Sequence, residues 1–446
     1  MDNLPPPTSK PPLRFEVIVC GGGPAGICAA VAAAEAGRRT LLIEAAGRLG
    51  GTGVNALVNQ VRCWTDTPYV QRFLDRLGGY VDDSEFLDLR DADLVQEAGA
   101  EILLHATVGE TLLQPSAKGG RWPTVVGVRL ATPSGPLTVE AERVVDASGD
   151  GFVAFRAGAA FDCGRPEDGL MQPATIMFRV GGVDHPATME ARGGRGSYRF
   201  PDGSTWDQLT MAACARGELP PEVGKVRTYP AERQDERYIN ATQINHIDGT
   251  DPFELTHAEL EGRRQVPVIM DFLRRHAPGF ADAYVSLMPA AVGIRETRRF
   301  RGLRALCRED CLTGRRWDDA VVTGCRAPLD VHNPDGPGQA EGVSKEHPAG
   351  RDPQPRKPYD TPYGCLVPEA VDSLLLAGRC ISGDHSAHAS YRWQSLCMAT
   401  GAAAGFAAAA SLDQNVQPRD LDIRPVQNAL GIVRPQDVSN AEGTQP

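Results

Sequence analysis

The chain is 446 residues long with a net charge of −11 at pH 7, long enough for two or more hydrophobic cores and too acidic to suggest a nucleic-acid partner. Its 11 cysteines are scattered without a Cys-x-x-Cys pair and read as reduced thiols, which excludes a disulfide-stapled fold. No apolar run reaches membrane-spanning length, since the longest (Ala402 to Leu412) is alanine-rich and broken by Gly405, and the polar start lacks a signal-peptide core; a cytoplasmic protein without a membrane span is expected.

Residues 1–14 read as a disordered N-terminus. Phe15 to Cys20 is a short apolar run, followed by Gly21-Gly22-Gly23-Pro24-Ala25-Gly26 and an alanine-rich helical stretch to Ala36. Thr40 to Glu44 is a second apolar run ending in a carboxylate. Strand, glycine turn, helix, strand and acid in this order form a dinucleotide-binding unit. Gly21 permits the tight turn, Gly23 lets a pyrophosphate approach the backbone, and Gly26 lets the helix pack on the strand. Pro24 and Ala25 open the helix, whose free N–H groups and positive end face the phosphates. Glu44 lies 18 residues past Gly26. A carboxylate there accepts hydrogen bonds from both ribose hydroxyls and repels a 2′-phosphate, which argues against NADP.

Leu49-Gly50-Gly51-Thr52-Gly53 is a second glycine turn, suited to backbone lying against a large flat ligand. Helical patterns follow at Tyr69 to Leu77 and Asp91 to Ala98, then strands at Ile102 to Leu113, Thr124 to Leu130 and Leu137 to Val145, the last two flanking Pro133-Ser134-Gly135. The strand at Val144 runs into another glycine turn carrying Gly149 and Asp150. Residues 163–357 differ in texture: strand-like pieces at Thr175 to Val180 and Tyr238 to Ile244, a helix at Thr256 to His276, and a long surface loop at Asn333 to Tyr359. Ser373 to Arg379 then reads as a buried parallel strand opening into a turn at Gly378, before a small-residue helix from Trp393 to Ser411. Residues 413–446 read as a weakly ordered tail.

The expected fold is α/β, a split Rossmann-type domain with a β-meander (15–162 and 358–412) enclosing an inserted α+β substrate or cap domain (163–357). No second glycine unit of this quality occurs, so there is room for one dinucleotide. The β-meander, the Asp146-Ala147-Ser148-Gly149-Asp150-Gly151 turn and the return at Ala377-Gly378-Arg379-Cys380-Ile381-Ser382 suggest FAD. With Met171-Gln172-Pro173-Ala174-Thr175, Gly293-Ile294-Arg295-Glu296-Thr297-Arg298-Arg299, Asp360-Thr361-Pro362-Tyr363 and His385-Ser386-Ala387-His388, the chain resembles FAD-dependent oxidoreductases of the two-domain, glutathione-reductase-like architecture, in the branch with Gly-Gly-Thr after the ribose-binding Glu.

The resemblance implies that Gly50, Gly51 and Thr52 pass alongside the flavin ring, that Val108 meets the adenine through its backbone, and that Gly149 and Asp150 close over the pyrophosphate side. It implies that Gly378 and Arg379 lie at the ribityl chain and pyrophosphate, where many relatives have Gly-Asp, with Asp384 supplying a ribityl contact. The helix near Trp393 would point its N-terminus at the flavin N1–C2=O edge, where the reduced ring is anionic. Disulfide-reductase relatives carry a cysteine pair after the Gly-Gly turn; Thr52-Gly53-Val54-Asn55-Ala56 has none, so no dithiol relay is expected. There is no clear signature of covalent flavin attachment.

His385 and His388 are the candidate general bases, since histidine titrates near neutral pH. Either could instead hydrogen-bond backbone and shape the turn, and their spacing alone, without other ligands, does not make a metal site. Arg295, in a basic run with Arg298, Arg299, Arg301 and Arg304, is the candidate anchor for a substrate carboxylate or phosphate; it could also pair with Glu296 or the cofactor, or face solvent. Tyr391 and Arg392, and more weakly Tyr363 and Asn240, are candidates to line the pocket. The expected activity is that of an FAD-dependent dehydrogenase or oxidase moving hydride between a small polar organic substrate and flavin N5. Electrons would pass to oxygen, a quinone or a partner protein; a homo-oligomer is left open. The rival readings are an NAD(P)H-dependent flavin reductase or monooxygenase, an electron-transfer subunit of a larger complex, and a flavin-bearing sensor without turnover.

Overall fold

The computed structural model describes residues 11–58, 61–78, 83–115, 121–188, 198–337 and 353–432. A seven-stranded sheet organises the chain. Its central strand, Leu13–Cys20, pairs in parallel with Thr40–Ile43 on one side and with Gly135–Asp146 on the other. Glu101–Leu103 extends the sheet beyond Thr40–Ile43. Gly135–Asp146 has two roles. Its first half pairs antiparallel with Thr124–Thr132, which pairs with Thr107–Gln114 to complete a β-meander; its last three residues pair in parallel with Leu374–Leu376. The C-terminal ends of five parallel strands, Glu101–Leu103 included, therefore share one edge. The turns that leave four of them begin at Gly21, Glu44, Ala147 and Ala377, the edge where open α/β sheets bind ligands.

Two helices fix this edge. Pro24–Glu35 follows the first strand, and Gln394–Asp413 packs along it. A Cβ at Gly401 would overlap the Ala25 carbonyl oxygen, and one at Gly405 would overlap that of Ala29. Ala25 meets Gly401 and Ala29 meets Gly405, so the two helices run parallel with backbones in contact. Gln394 stands seven residues before Gly401, which carries its end about 10 Å beyond that contact at 1.5 Å per residue. Neither helix has an acidic residue in its first turn or a side-chain cap at its N-terminus. By length and composition Gln394–Asp413 could cross a membrane, contrary to the expectation that no run is long enough, but nearly all of it is buried in this core.

A second core forms between Ala174 and Val292. Tyr284–Leu287, Phe178–Gly181, Arg237–Asn240 and Arg227–Pro230 make a four-stranded antiparallel sheet in that order. The long helix Pro252–His276 packs in this core. It starts four residues before the expected Thr256 because Asp251 accepts from the N–H groups of Phe253 and Glu254, leaving two fewer free donors.

Several boundaries differ from the sequence reading. Phe300, Leu306, Val321, Val322 and Leu329, assigned above to the inserted domain, pack in the first core, so the insertion ends near Val292. Ile102 to Leu113 is two strands, because His105 turns with φ of 55° while its N–H bonds Ala46. Leu13 and Arg14 already belong to the first strand. Residues 413–432 are no loose tail: Arg424–Leu430 is a helix whose Val426 and Leu430 join the first core. The remainder of the two termini (1–10 and 433–446) and most of the expected Asn333 to Tyr359 loop (338–352) lie outside the described residues.

Gly401→Ala tests the helix contact. Helix propensity favours alanine by about 1 kcal/mol, but overpacking costs typically ~1–3 kcal/mol or more, and here the obstacle is backbone that no rotamer can move. The variant should melt lower and retain less flavin, because Ala25 lies in the phosphate turn. An unchanged or raised Tm with full flavin content would refute this packing.

Candidate functional site

The glycine turns meet at the strand edge. Gly21 has φ of 108°, and a Cβ on Gly26 would overlap the Gly21 carbonyl, so both positions demand glycine. Gly50 N–H bonds the Gly22 carbonyl at 2.8 Å, joining the two turns. A Cβ on Gly23 would meet only the Gly51 Cα, at 3.7 Å, so the turns enclose a bare backbone floor at the helix N-terminus. Thr52 opens the short helix Thr52–Asn55, capped at Gly51. Glu44 accepts from Gly22 N–H at 2.6 Å and Ala46 N–H at 2.7 Å, one bond per carboxylate oxygen, with lone pairs to spare. Gly378, at φ of 79°, sits over Ala25 and donates its N–H to Thr400 Oγ1 at 3.0 Å. Pro24 and Ala25 thus lie between the first turn and the returning chain. Val108 is buried at the start of a strand whose entry is tied to Glu44 by the Ala106 N–H.

The residues expected around the pyrophosphate mostly hold one another. Asp150 Oδ1 accepts from Thr297 Oγ1 at 2.8 Å and Arg379 Nη2 at 3.1 Å, and Arg379 also donates to the Ile294 carbonyl. Gly149, at φ of 82°, leaves room for that guanidinium. Asp384 is committed to structure: one carboxylate oxygen caps the helix His385–Tyr391 at Ala387 N–H and the other accepts from Arg308 N–H, both at 2.7 Å. Each oxygen makes one bond, as in Glu44, so the expected ribityl contact would have to be made on the remaining lone pairs.

Behind this edge lies a buried charge network. Glu296 Oε1 accepts from His385 Nδ1 at 3.0 Å and is ion-paired with Arg299; its Oε2 accepts from Gln172 N–H at 3.1 Å. Burial alone would raise the Glu296 carboxyl, but the His385 hydrogen bond and the Arg299 charge outweigh it and bring it down to about 2. Burial pushes His388 well below its ordinary value, so its ring is neutral. The Nε2 atoms of both histidines are buried without a partner among the described residues.

Gln172 connects this network to a second cluster. Its side-chain oxygen accepts from His332 N–H at 3.2 Å, while its amide nitrogen stands 3.5 Å from His388 Nδ1. His332 Nε2 lies 3.2 Å from Asp330, which also pairs with Arg392 at 3.1 Å. Arg295 donates to the Pro173 carbonyl and, at 2.6 Å, to Thr175 Oγ1, and lines a small polar pocket with Lys225, Asn240 and Thr242.

The basic run therefore divides. Arg295 reaches a pocket, Arg298 stacks on Phe155, Arg299 neutralises Glu296, and Arg301 and Arg304 pair with Asp162 and Asp319. Tyr391 bonds the Ile381 carbonyl and Tyr363 the Pro418 carbonyl, so both are core residues; Asn240 lines the pocket. Sequence reasoning did not single out Asp330, His332 and Arg227, and gave Gln172 and Glu296 no chemistry. The Met171-Gln172-Pro173 and Arg295-Glu296-Thr297 motifs were visible signals for two of them; nothing marked Arg227 among so many arginines.

These residues fit FAD. The bare floor between Gly23 and Gly51 and two uncapped helix N-termini suit a pyrophosphate and an electron-rich ring. Unpartnered buried polar atoms also gather around the Gln394 end: Trp64 Nε1, Trp393 Nε1, Gln394 Oε1, His385 Nε2 and His388 Nε2.

The sequence model of the FAD dependent oxidoreductase family matches residues 16–430. Thiamine thiazole synthase of Aeropyrum pernix is 36% identical over 163 residues, which are 33% of this chain and 59% of that protein. The chain thus spans less than two thirds of the length of this curated relative. Among solved structures, the myxobacterial chondrochloren halogenase aligns at 12% identity with a TM-score of 0.48, covering 94% of this chain and 78% of that one. A geranylgeranyl bacteriochlorophyll reductase-like protein from Thermoplasma acidophilum aligns at 15% identity with a TM-score of 0.46, covering 94% and 83%.

The buried histidines set an acid limit. Burial and Arg295 push His332 from 6.5 to about 3, against the pull of Asp330, and His388 is lowered as well. Between those values the unfolded chain binds protons that the folded protein refuses. Stability is therefore complete above pH 6.5 and falls as the pH drops toward 3, by about 1.4 kcal/mol per pH unit for each histidine. Denaturant melts from pH 7.5 to 5 should show this slope, and His332→Gln should remove about half of it; an unaltered slope would contradict a neutral, buried His332.

Proposed function

We propose, since the chain belongs to the FAD dependent oxidoreductase family, that it oxidises a small polar organic substrate as a dehydrogenase or oxidase, with His385 as general base. When bound, FAD supplies the two-electron acceptor, taking hydride at N5. The turns at Gly21, Gly23, Gly26, Gly50 and Gly51 would receive the cofactor's phosphates and ring against bare backbone, and Glu44 would take ribose hydroxyls on its free lone pairs. Gly378, Thr52 and Val108 would complete the cradle, while Gly149, Asp150 and Arg379 would hold its wall.

The observation that carries this reading is the Glu296–His385 pair. Glu296 holds the ring at Nδ1, which fixes the tautomer and leaves the buried Nε2 without a partner among the described residues. Such a nitrogen can take the O–H or N–H proton of a substrate while hydride leaves the adjacent carbon. The carboxylate stabilises the imidazolium that results, and Arg299 keeps Glu296 ionised when His385 is neutral. His388, held neutral beside it, faces the Gln172 amide nitrogen with Nδ1 and would therefore carry its proton on Nε2 as a donor, and Gln172 holds both rings, His385 through Glu296 and His388 directly. Arg295 would orient the substrate from the pocket side. The electrons would then pass to oxygen, a quinone or a partner protein.

The purified protein should be yellow, and a panel of small polar metabolites should contain one that bleaches its flavin anaerobically. His385→Gln should slow that bleaching by about 10²–10⁴-fold at unchanged FAD content. Bleaching at the wild-type rate in this variant would end the assignment of His385 as the base.

A further inference from the structure

Three guanidinium groups converge where the second sheet meets the site, against one carboxylate. Arg295, Arg392 and Asp330 belong to the cluster above, and the charges of Arg227 and Arg392 press on Arg295. Arg227 stands in strand Arg227–Pro230, directly across from Asn240, a pocket-lining residue. It is only 9% exposed, and its Nε has no partner among the described residues. Arg392 Nε is likewise buried and unpartnered, its Nη2 being spent on Asp330. Arg295 spends one nitrogen on Pro173 and Thr175 and turns toward the pocket. Lys225, on the same wall, adds no net charge because it faces Asp207 at 3.9 Å.

Arginine stays protonated under all ordinary conditions, and a buried charge without a counter-ion is costly. Two of the three positive charges are uncompensated among the described residues, and burial presses Arg295 and Arg392 below the ordinary arginine range without removing their charge. Asp330 carries a single negative charge, spent at Oδ2 on Arg392 and His332, so it offsets one of the three guanidinium charges. His332, neutral, brings no positive charge of its own. Such a set fits a planar or tetrahedral oxyanion taken by guanidinium forks.

We propose that the substrate is a small organic anion whose carboxylate or phosphate is bound by Arg227 and Arg295 in the pocket beside Thr175 and Asn240, with Arg392 held behind them by Asp330. The proposal rests on the oxidoreductase reading above for the role of the ligand as substrate, but not for its binding. The oxyanion end fixes the molecule by its charge and leaves the other end to be presented to His385.

Calorimetric titration of the FAD-loaded protein with benzoate, oxalate and inorganic phosphate tests the site, with benzamide as the neutral control. At least one anion should bind saturably, weaken steeply with added NaCl, and bind Arg227→Gln at least tenfold more weakly at unchanged FAD content. Arg227→Lys, which keeps the charge but loses the fork, should fall between the two. Binding of benzoate or oxalate assigns a carboxylate, and binding of phosphate alone a phosphoryl group. The proposal is overturned if no anion binds better than benzamide, if Arg227→Gln binds as the native chain does, or if it loses FAD instead of the anion. Anion binding without any substrate-driven flavin bleaching would leave this site standing and remove the oxidoreductase reading; bleaching by a neutral metabolite without anion binding would do the reverse.

Discussion

The backbone contact between helices Pro24–Glu35 and Gln394–Asp413 governs everything built on the sheet edge. Gly401 and Gly405 let the later helix lie directly on the carbonyls of Ala25 and Ala29. That contact sets the two helices parallel, so both positive ends point to the same side. Parallel dipoles repel, and neither first turn carries an acid to relieve them. An anionic ligand at that edge does so. The same contact brings Gly378 over Ala25 and carries the His385–Gln394 segment, more than 350 residues downstream, to the turn at Gly21. Small residues here are a geometric requirement: any larger pair would separate the two halves of the split domain.

Behind that edge, burial is tolerated because the charges are arranged in linked groups. Glu296 is satisfied at both oxygens by Arg299, His385 and Gln172, which is why its carboxyl stays low despite its depth. Gln172 then couples this balanced group to the Asp330 cluster, which is not balanced and carries excess positive charge. One network orients a base and the other attracts an anion. A single residue spans the two, with its backbone N–H on Glu296 and its side-chain oxygen on the His332 N–H, so a shift in Met171-Gln172-Pro173 would move both ends of a bound substrate together.

Much of the first domain was legible in the chain. Strand, glycine turn, helix and acid succeed one another within about thirty residues, and each is fixed by local chemistry: Gly21 by its φ, Gly26 by close packing, Glu44 by position. The return at Leu374–Leu376 was equally clear, because a strand buried on both faces is uniformly apolar. Asp384 shows a structural role that such reading did not see. Its place after the Gly378 turn suggested a ligand contact, yet a helix begins at the next residue and claims the carboxylate as its cap. The end of the insertion was misplaced for a related reason: residues 300–329 have no distinctive pattern, and only packing shows that Phe300 and Leu329 share the first core.

The sequence by itself determined the cofactor unit, the split α/β plan and the absence of a cysteine pair beside Thr52, because each depends on residues close together along the chain. The tertiary structure alone decided which of many arginines stand uncompensated, which histidine is held by a carboxylate, and that Arg227, Arg295, Asp330 and Arg392 share one site. Those facts are sums of charge and dehydration over groups from four distant segments. Electrostatic energy depends on separation in space and on the exclusion of water, and neither quantity is written in residue order.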